Sequence, residues 1–187
     1  ARQVSLNDEE KKIIKPLGLL TDKPIIYAAN LSEDQLSIGN VFSEEVFKFS
    51  LKEGAESIKI SAQVEAELIE LGKEERADYL DGLGVKEGGL ECLIRATYQL
   101  LGLRTYFTTG EKETRAWTIK SGMTAPQAAG VIHTDFERGF IKAEVYTYDD
   151  LMEFQSEAKI KEQGKMRQEG KDYIVKDGDI IFFKFNV

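Results

Sequence analysis

With 187 residues and 42% hydrophobic content, the chain has enough apolar material for one large or two small hydrophobic cores. A net charge of −8 excludes the general basic surface that sequence-blind nucleic-acid binding requires, and a single cysteine, Cys92, excludes an intrachain disulfide and a cysteine-rich metal site. The acidic excess lies before Gly102 and the remainder is close to balance, so any RNA contact is expected to be local and structure-reading. Cysteine usage fits a reducing compartment, no apolar run approaches the ~20 residues that span a bilayer, and no signal peptide is visible. Cytoplasmic location is the expectation, without a membrane partner. The chain opens Ala1-Arg2-Gln3 without an initiator Met and reads as a piece of a longer protein.

Asn7-Asp8-Glu9-Glu10 predicts a capping box, followed by a helix with Ile13, Ile14 and Leu17 on its apolar side, ended by Pro16 and Gly18. Pro24 then introduces five apolar residues, Ile25 to Ala29, which stop at Asn30 and, three residues later, Glu33. A short apolar run between polar boundaries suits a parallel strand buried on both faces. Ligands of such sheets gather beyond the carboxyl ends of the strands, where Asn30 and Glu33 would stand. An Asn amide both donates and accepts, which matches the N6/N7 edge of adenine, whereas an ionised carboxylate only accepts. The plainer alternative makes Asn30 a strand exit and Ser32-Glu33 a helix N-cap.

Val46, Phe47 and Leu51 predict a helix over Ser43–Lys52, and Ser57–Ile60 a second strand that runs into Ser61-Ala62-Gln63. Helices follow at Glu65–Leu71, Glu74–Leu83 and Gly89–Leu101. Cys92, off the apolar stripe and without a neighbouring His, reads as an inert thiol. No Gly-x-x-x-x-Gly-Lys-Ser/Thr occurs anywhere, so the sequence offers no phosphate cradle.

From Arg104 the period changes to two, predicting a hairpin that turns near Gly110, with Tyr106 in one strand and Arg115, Trp117 and Ile119 alternating in the other. Thr124–Ile132 reads as a helix with small Ala125, Ala128 and Ala129 for close sheet contact. Ile141–Val145 reads as a strand and Tyr148–Phe154 as a helical turn. Gln155–Gly170 reads as a hydrophilic excursion, and Asp172–Val175 and Asp179–Phe185 as closing strands about the turn Lys176-Asp177-Gly178. His133, the only histidine, reads as a cap or surface contact in preference to a catalytic base.

Pro-Ile-Ile-Tyr-Ala-Ala-Asn30-Leu31-Ser32-Glu33, followed one helix and one strand later by Ser61-Ala62-Gln63, resembles the base-recognition segments of P-loop NTPases in the Asn-x-x-Glu form of the Obg-like ATPase (YchF) family. Arg115-Ala-Trp-Thr-Ile, the segment Ala125 to Ile141, Ala143-Glu-Val and Asp177-Gly-Asp-Ile-Ile-Phe-Phe-Lys-Phe-Asn resemble the C-terminal TGS domain of the same family. The resemblance implies an α/β portion of a P-loop NTPase-type parallel sheet over residues 1–102, entered from the end of a helical arm, and an α+β β-grasp (ubiquitin-like, TGS) domain over 103–187. It implies base contacts from Asn30, Leu31, Ser32, Glu33, Ser61, Ala62 and Gln63, and a preference for ATP over GTP where Leu31 and Glu33 replace the usual Lys and Asp. ATP or GTP with Mg2+ belongs to the intact protein; this chain is expected to hold no nucleotide tightly, to contribute no catalytic residue and no metal ligand, and to be inactive alone. Expected partners are the missing N-terminal part of the nucleotide-binding domain and the ribosome or RNA, the latter met by Arg115, Trp117, His133, Phe136 and Arg138. A non-enzymatic β-grasp module that binds RNA or protein, and a GTP-specific GTPase piece, are the alternatives.

Overall fold

The computed structural model describes residues 4–110 and 113–186, so the opening Ala1–Gln3 lies outside the described residues. The chain divides between Leu100 and Leu101 into two compact units.

In the first unit the elements are α1 (Asp8–Ile14), β1 (Ile26–Asn30), α2 (Val41–Glu53), β2 (Glu56–Ile60), α3 (Ala62–Glu70), α4 (Lys73–Gly82) and α5 (Gly89–Leu100). The capping box forms as expected: Asn7 Oδ1 accepts from the Glu9 and Glu10 N–H groups while Glu10 Oε2 accepts from Asn7 N–H at 2.9 Å. β1 and β2 pair in parallel, with Asn30 opposite Ile60. Successive strand residues face opposite ways, and the two faces take different helices. α2 covers the Tyr27–Ser57 face, where Ser50 Oγ donates to Ser57 Oγ at 3.1 Å and Phe49 meets the Tyr27 ring edge-on at 5.7 Å. α5 covers the Ile60 face so closely that a Cβ on Gly89 would stand 2.6 Å from Ile60 Cγ1 and 2.9 Å from Ile60 Cα.

β1 departs from the expected burial on both faces: Ala28 and Asn30 are exposed, and Ile26, Tyr27 and Ala29 are half-buried. The reason is sheet width, since β1 has β2 as its one paired neighbour among the described residues. Leu36, Val64, Leu68 and Leu80 form a separate small core under α3 and α4, and the Tyr79 ring packs against it.

The second unit contains β3 (Leu103–Thr109), β4 (Thr114–Lys120), α6 (Ala125–Ile132), α7 (Thr134–Arg138), β5 (Phe140–Thr147), α8 (Tyr148–Phe154), α9 (Glu157–Glu162), β6 (Arg167–Glu169) and β7 (Asp179–Phe185). The sheet order is β4-β3-β7-β5-β6; β3 and β7 are parallel, and the other pairs antiparallel. Tyr106, Ile119, Ala128, Ala129, Val145, Ile181 and Phe183 belong to the core beneath α6. The alanines bring the helix close enough for Tyr106 Oη to donate to the Ala128 carbonyl at 2.9 Å. The whole is a mixed α/β fold with one parallel and one mixed sheet.

The second unit also corrects two expectations. Gln155–Gly170 folds into α9 and β6, because Ile160 is fully buried against Tyr146 and Ile180 and Met166 packs on the same cluster. Asp172–Val175 contributes a single bridge, Ile174 to Thr124, and no strand. Its neighbour Asp179 is buried and accepts from Tyr173 Oη and Lys176 N–H, both at 2.8 Å.

Candidate functional site

The carboxyl end of β1 meets the amino end of α3. Asn30 Oδ1 accepts a hydrogen bond from the Ala62 backbone N–H at 3.0 Å, and Leu31 N–H donates to the Ile60 carbonyl at 2.8 Å. One lone pair of Oδ1 is thereby engaged, while the second lone pair and the Nδ2 hydrogens remain for a ligand. Asn30, Ala62 and Gln63 are exposed, whereas Ser61 and Leu31 are buried. Ser61 caps α3, its Oγ accepting from Val64 N–H at 3.5 Å. Ala62 and Gln63 therefore belong to the first helical turn, and the expected loop is reduced to its cap.

Glu33 opens a one-turn 3-10 helix, Glu33–Gln35, in which Ser32 makes no side-chain cap. Its carboxylate lies 3.3 Å from Tyr79 Oη. The same hydroxyl donates to Glu67 Oε2 at 2.6 Å, and Gln63 Nε2 donates to Glu67 Oε1 at 3.1 Å. These bonds hold the Glu67 carboxyl below its ordinary value, and the Glu67 bond, with desolvation and the Glu33 charge, pushes the Tyr79 phenol up to about 12. Sequence reasoning missed Tyr79 and Glu67. Tyr79 is 46 residues from Glu33, and nothing local to α4 marks it.

A hollow of about 310 Å³ lies nearby, lined by Ile58, Lys59, Gly89 and Cys92 among others, but Asn30, Glu33 and Ser61–Gln63 do not line it. Of the expected base-contacting residues, Asn30, Ser32, Ala62 and Gln63 are exposed and Glu33 is half-buried, while the buried Leu31 and Ser61 side chains are not available to a ligand. Cys92 is half-buried and donates to Glu87 Oε1 at 3.3 Å; burial and that carboxylate push its thiol up, away from the thiolate a nucleophile needs.

In the second unit, Thr108, Trp117, Ile132, Phe136, Phe183 and Phe185 line a hollow of about 580 Å³. Trp117 Nε1 donates to Thr108 Oγ1 at 2.9 Å, the Arg115 guanidinium lies 4.3 Å above the Trp117 ring, and Phe136 stacks on Phe185 at 3.8 Å. His133 caps α7, its Nδ1 accepting from Asp135 N–H at 3.2 Å, and its ring lies 6.0 Å from Phe136. Four of the five expected contact residues are thus near one another, and the fifth, Arg138, ends α7 and does not line the hollow. Among the described residues no group of three or more His, Cys, Asp or Glu could hold a metal, and no helix is long and apolar enough to cross a membrane.

Residues 103–186 match the YchF-GTPase_C family model, described as a protein of unknown function (DUF933). The ribosome-binding ATPase YchF of Bacillus subtilis is 51% identical over 189 residues, covering 100% of this chain and 52% of its own length. That of Escherichia coli O157:H7 is 51% identical over 186 residues, covering 100% and 51%. The chain thus spans about half the length of the curated relatives it matches. The structure of the Schizosaccharomyces pombe YchF GTPase superposes with a TM-score of 0.82 at 39% identity, over 98% of this chain and 49% of that one. A GTP binding protein from Pyrococcus horikoshii OT3, at 20% identity and a TM-score of 0.61, covers 98% and 58% and shares the fold. With half of all positions identical along its whole length, the chain belongs to the Obg-like ATPase (YchF) family of P-loop NTPases.

Proposed function

We propose that the chain is the C-terminal portion of a ribosome-associated, ATP-preferring P-loop NTPase, in which residues 1–102 supply purine recognition and residues 103–187 form a TGS domain that meets the ribosome. The observation that carries the first part is the 3.0 Å bond from Ala62 N–H to Asn30 Oδ1, which brings the two base-recognition segments to one edge. Asn30 then offers Nδ2 to a purine ring nitrogen, and Glu33 accepts from an exocyclic amine. Leu31 and Ser61 sit behind them as buried supports.

The sheet order β4-β3-β7-β5-β6, with a parallel central pair and α6 packed on one face, supports reading residues 103–187 as a β-grasp. The aromatic hollow with the exposed Arg115 above a half-buried Trp117 supports its use as a contact surface, because a guanidinium and partly exposed ring edges can meet unpaired bases. Ribosome binding rests on the names of the B. subtilis and E. coli relatives.

Phosphate contacts, Mg2+ and the attacking water belong to the portion of the intact protein that carries the Gly-Lys-Ser/Thr cradle. The names of the relatives divide between ATPase and GTPase, so competition of ATP against GTP on the intact protein is the test. Tighter ATP binding agrees with Glu33 reading the adenine 6-amine; tighter GTP binding, with the carboxylate accepting from guanine N1–H and N2–H, replaces this reading with the GTPase one. The 187 residues alone are expected to hydrolyse neither.

A further inference from the structure

We propose that the Tyr79 hydroxyl oxygen is a second acceptor for the adenine 6-amine beside Glu33, which makes Tyr79 a specificity-determining residue of the purine site. The proposal rests on the reading of Glu33 given above. The hydroxyl oxygen lies 2.6 Å from Glu67 Oε2 and 3.3 Å from Glu33 Oε1. A phenol has one proton and two lone pairs, and the shorter contact takes the proton. What Tyr79 turns toward Glu33 is therefore lone-pair density, and the two oxygens face one another as acceptors.

Two acceptors so placed do not bind each other. They do accept together from a single N–H, in a three-centre bond whose donor stands within hydrogen-bond reach of both. A 6-amine supplies that donor. A 6-carbonyl in the same place would meet two like oxygens with no proton to share, so the arrangement favours an amine over an oxo group at position six of a purine.

Neighbouring groups fix both the direction of the proton and the place of the oxygen. Glu67, exposed on α3, is itself held by Gln63, whose Nε2 donates to Glu67 Oε1 at 3.1 Å. The Glu67 bond is the first cause that pushes the phenol up to about 12, so Tyr79 keeps its proton across the physiological range. The Tyr79 ring packs on the core of Leu36, Val64, Leu68 and Leu80, which sets its oxygen before a ligand arrives and lowers the ordering cost of binding. Glu33 and Tyr79 are both half-buried, so each is open on one side to a base.

The experiment uses the intact protein in equilibrium binding, with two probes: Mg2+-ATP and the Mg2+ complex of purine riboside triphosphate, which carries hydrogen in place of the 6-amine. The parent is expected to prefer ATP. Tyr79→Phe keeps the ring in its apolar seat and is expected to weaken ATP about three- to tenfold, the effect of one lost hydrogen bond, while leaving the amine-free probe unchanged. Glu67→Ala frees the phenol proton to turn to Glu33, and is expected to lower the preference for ATP as well. The double variant should match Tyr79→Phe, because without the hydroxyl there is no proton to redirect. An unchanged preference in either single variant, equal losses for both probes, or additive losses in the double variant would overturn the assignment. Glu33→Ala, measured in parallel, separates the failures. If it keeps the parent's preference, or the parent shows none, the reading of Glu33 itself has failed; if it erases the preference while Tyr79→Phe does not, only the role of Tyr79 has.

Discussion

Asn30 and Ala62, 32 residues apart, are joined by a 3.0 Å hydrogen bond between the end of one strand and the start of the helix that follows its neighbour. The bond uses the amide oxygen of Asn30 as an acceptor for the fold, and the proposed purine site would use its Nδ2 as a donor. Asn30→Asp retains the acceptor and removes the donor, whereas Asn30→Ala removes both. In unfolding of the 187-residue chain, Asn30→Ala is expected to cost about 1 kcal/mol and Asn30→Asp less than half of that. Equal stability of the alanine variant and the parent would show that the bond contributes nothing to the fold.

Gly89 lies where α5 crosses β2, and a methyl group there would meet both the side chain and the backbone of Ile60. Gly89→Ala is expected to destabilise the first unit by about 1–3 kcal/mol, the usual cost of overpacking. Chemical denaturation followed by circular dichroism measures it. A change below half a kilocalorie would mean that α5 can shift outward freely.

Asp150 closes a capping box at α8, accepting from Thr147 Oγ1 at 2.6 Å and Thr147 N–H at 3.0 Å. Those bonds, the hydroxyl first, hold its carboxyl below the ordinary 3.8. A folded pKa below the unfolded one contributes stability that is present above the unfolded value and lost as pH falls through the folded one. Asp150→Ala is therefore expected to cost about 1 kcal/mol at pH 7 and progressively less as pH drops below 3.8. A penalty independent of pH in that window would assign the effect to packing.

The contact surface proposed for the second unit predicts a split between its residues. Arg115 is exposed above Trp117, so Arg115→Ala is expected to leave the melting temperature within about 2 °C of the parent while weakening co-sedimentation of the intact protein with ribosomes several-fold. Trp117→Ala should lower both, since the indole also packs against the core. Ribosome binding equal to the parent in Arg115→Ala, Trp117→Ala and Arg138→Ala would end the proposal.

What the sequence made legible were features with local causes. Asn7 and Glu10 announce their capping box, and Gly89 marks the start of α5. The exit of β1 at Asn30 is equally local. Features that depend on partners in space were not legible. Gln155–Gly170 gained structure from the burial of Ile160 against Tyr146 and Ile180. The openness of β1 follows from how many strands flank it, which no run of apolar residues encodes. Tyr79 and Glu67 joined the candidate site through tertiary contact alone.

The central claim is that Asn30 reads a purine. Its most direct test is equilibrium binding of ATP to the intact protein and to its Asn30→Asp variant, with CTP as the base-blind control. The account predicts a loss of at least about tenfold for ATP, the worth of a donor replaced by a repelling charge, with little change for CTP. Undiminished ATP affinity in Asn30→Asp would contradict it.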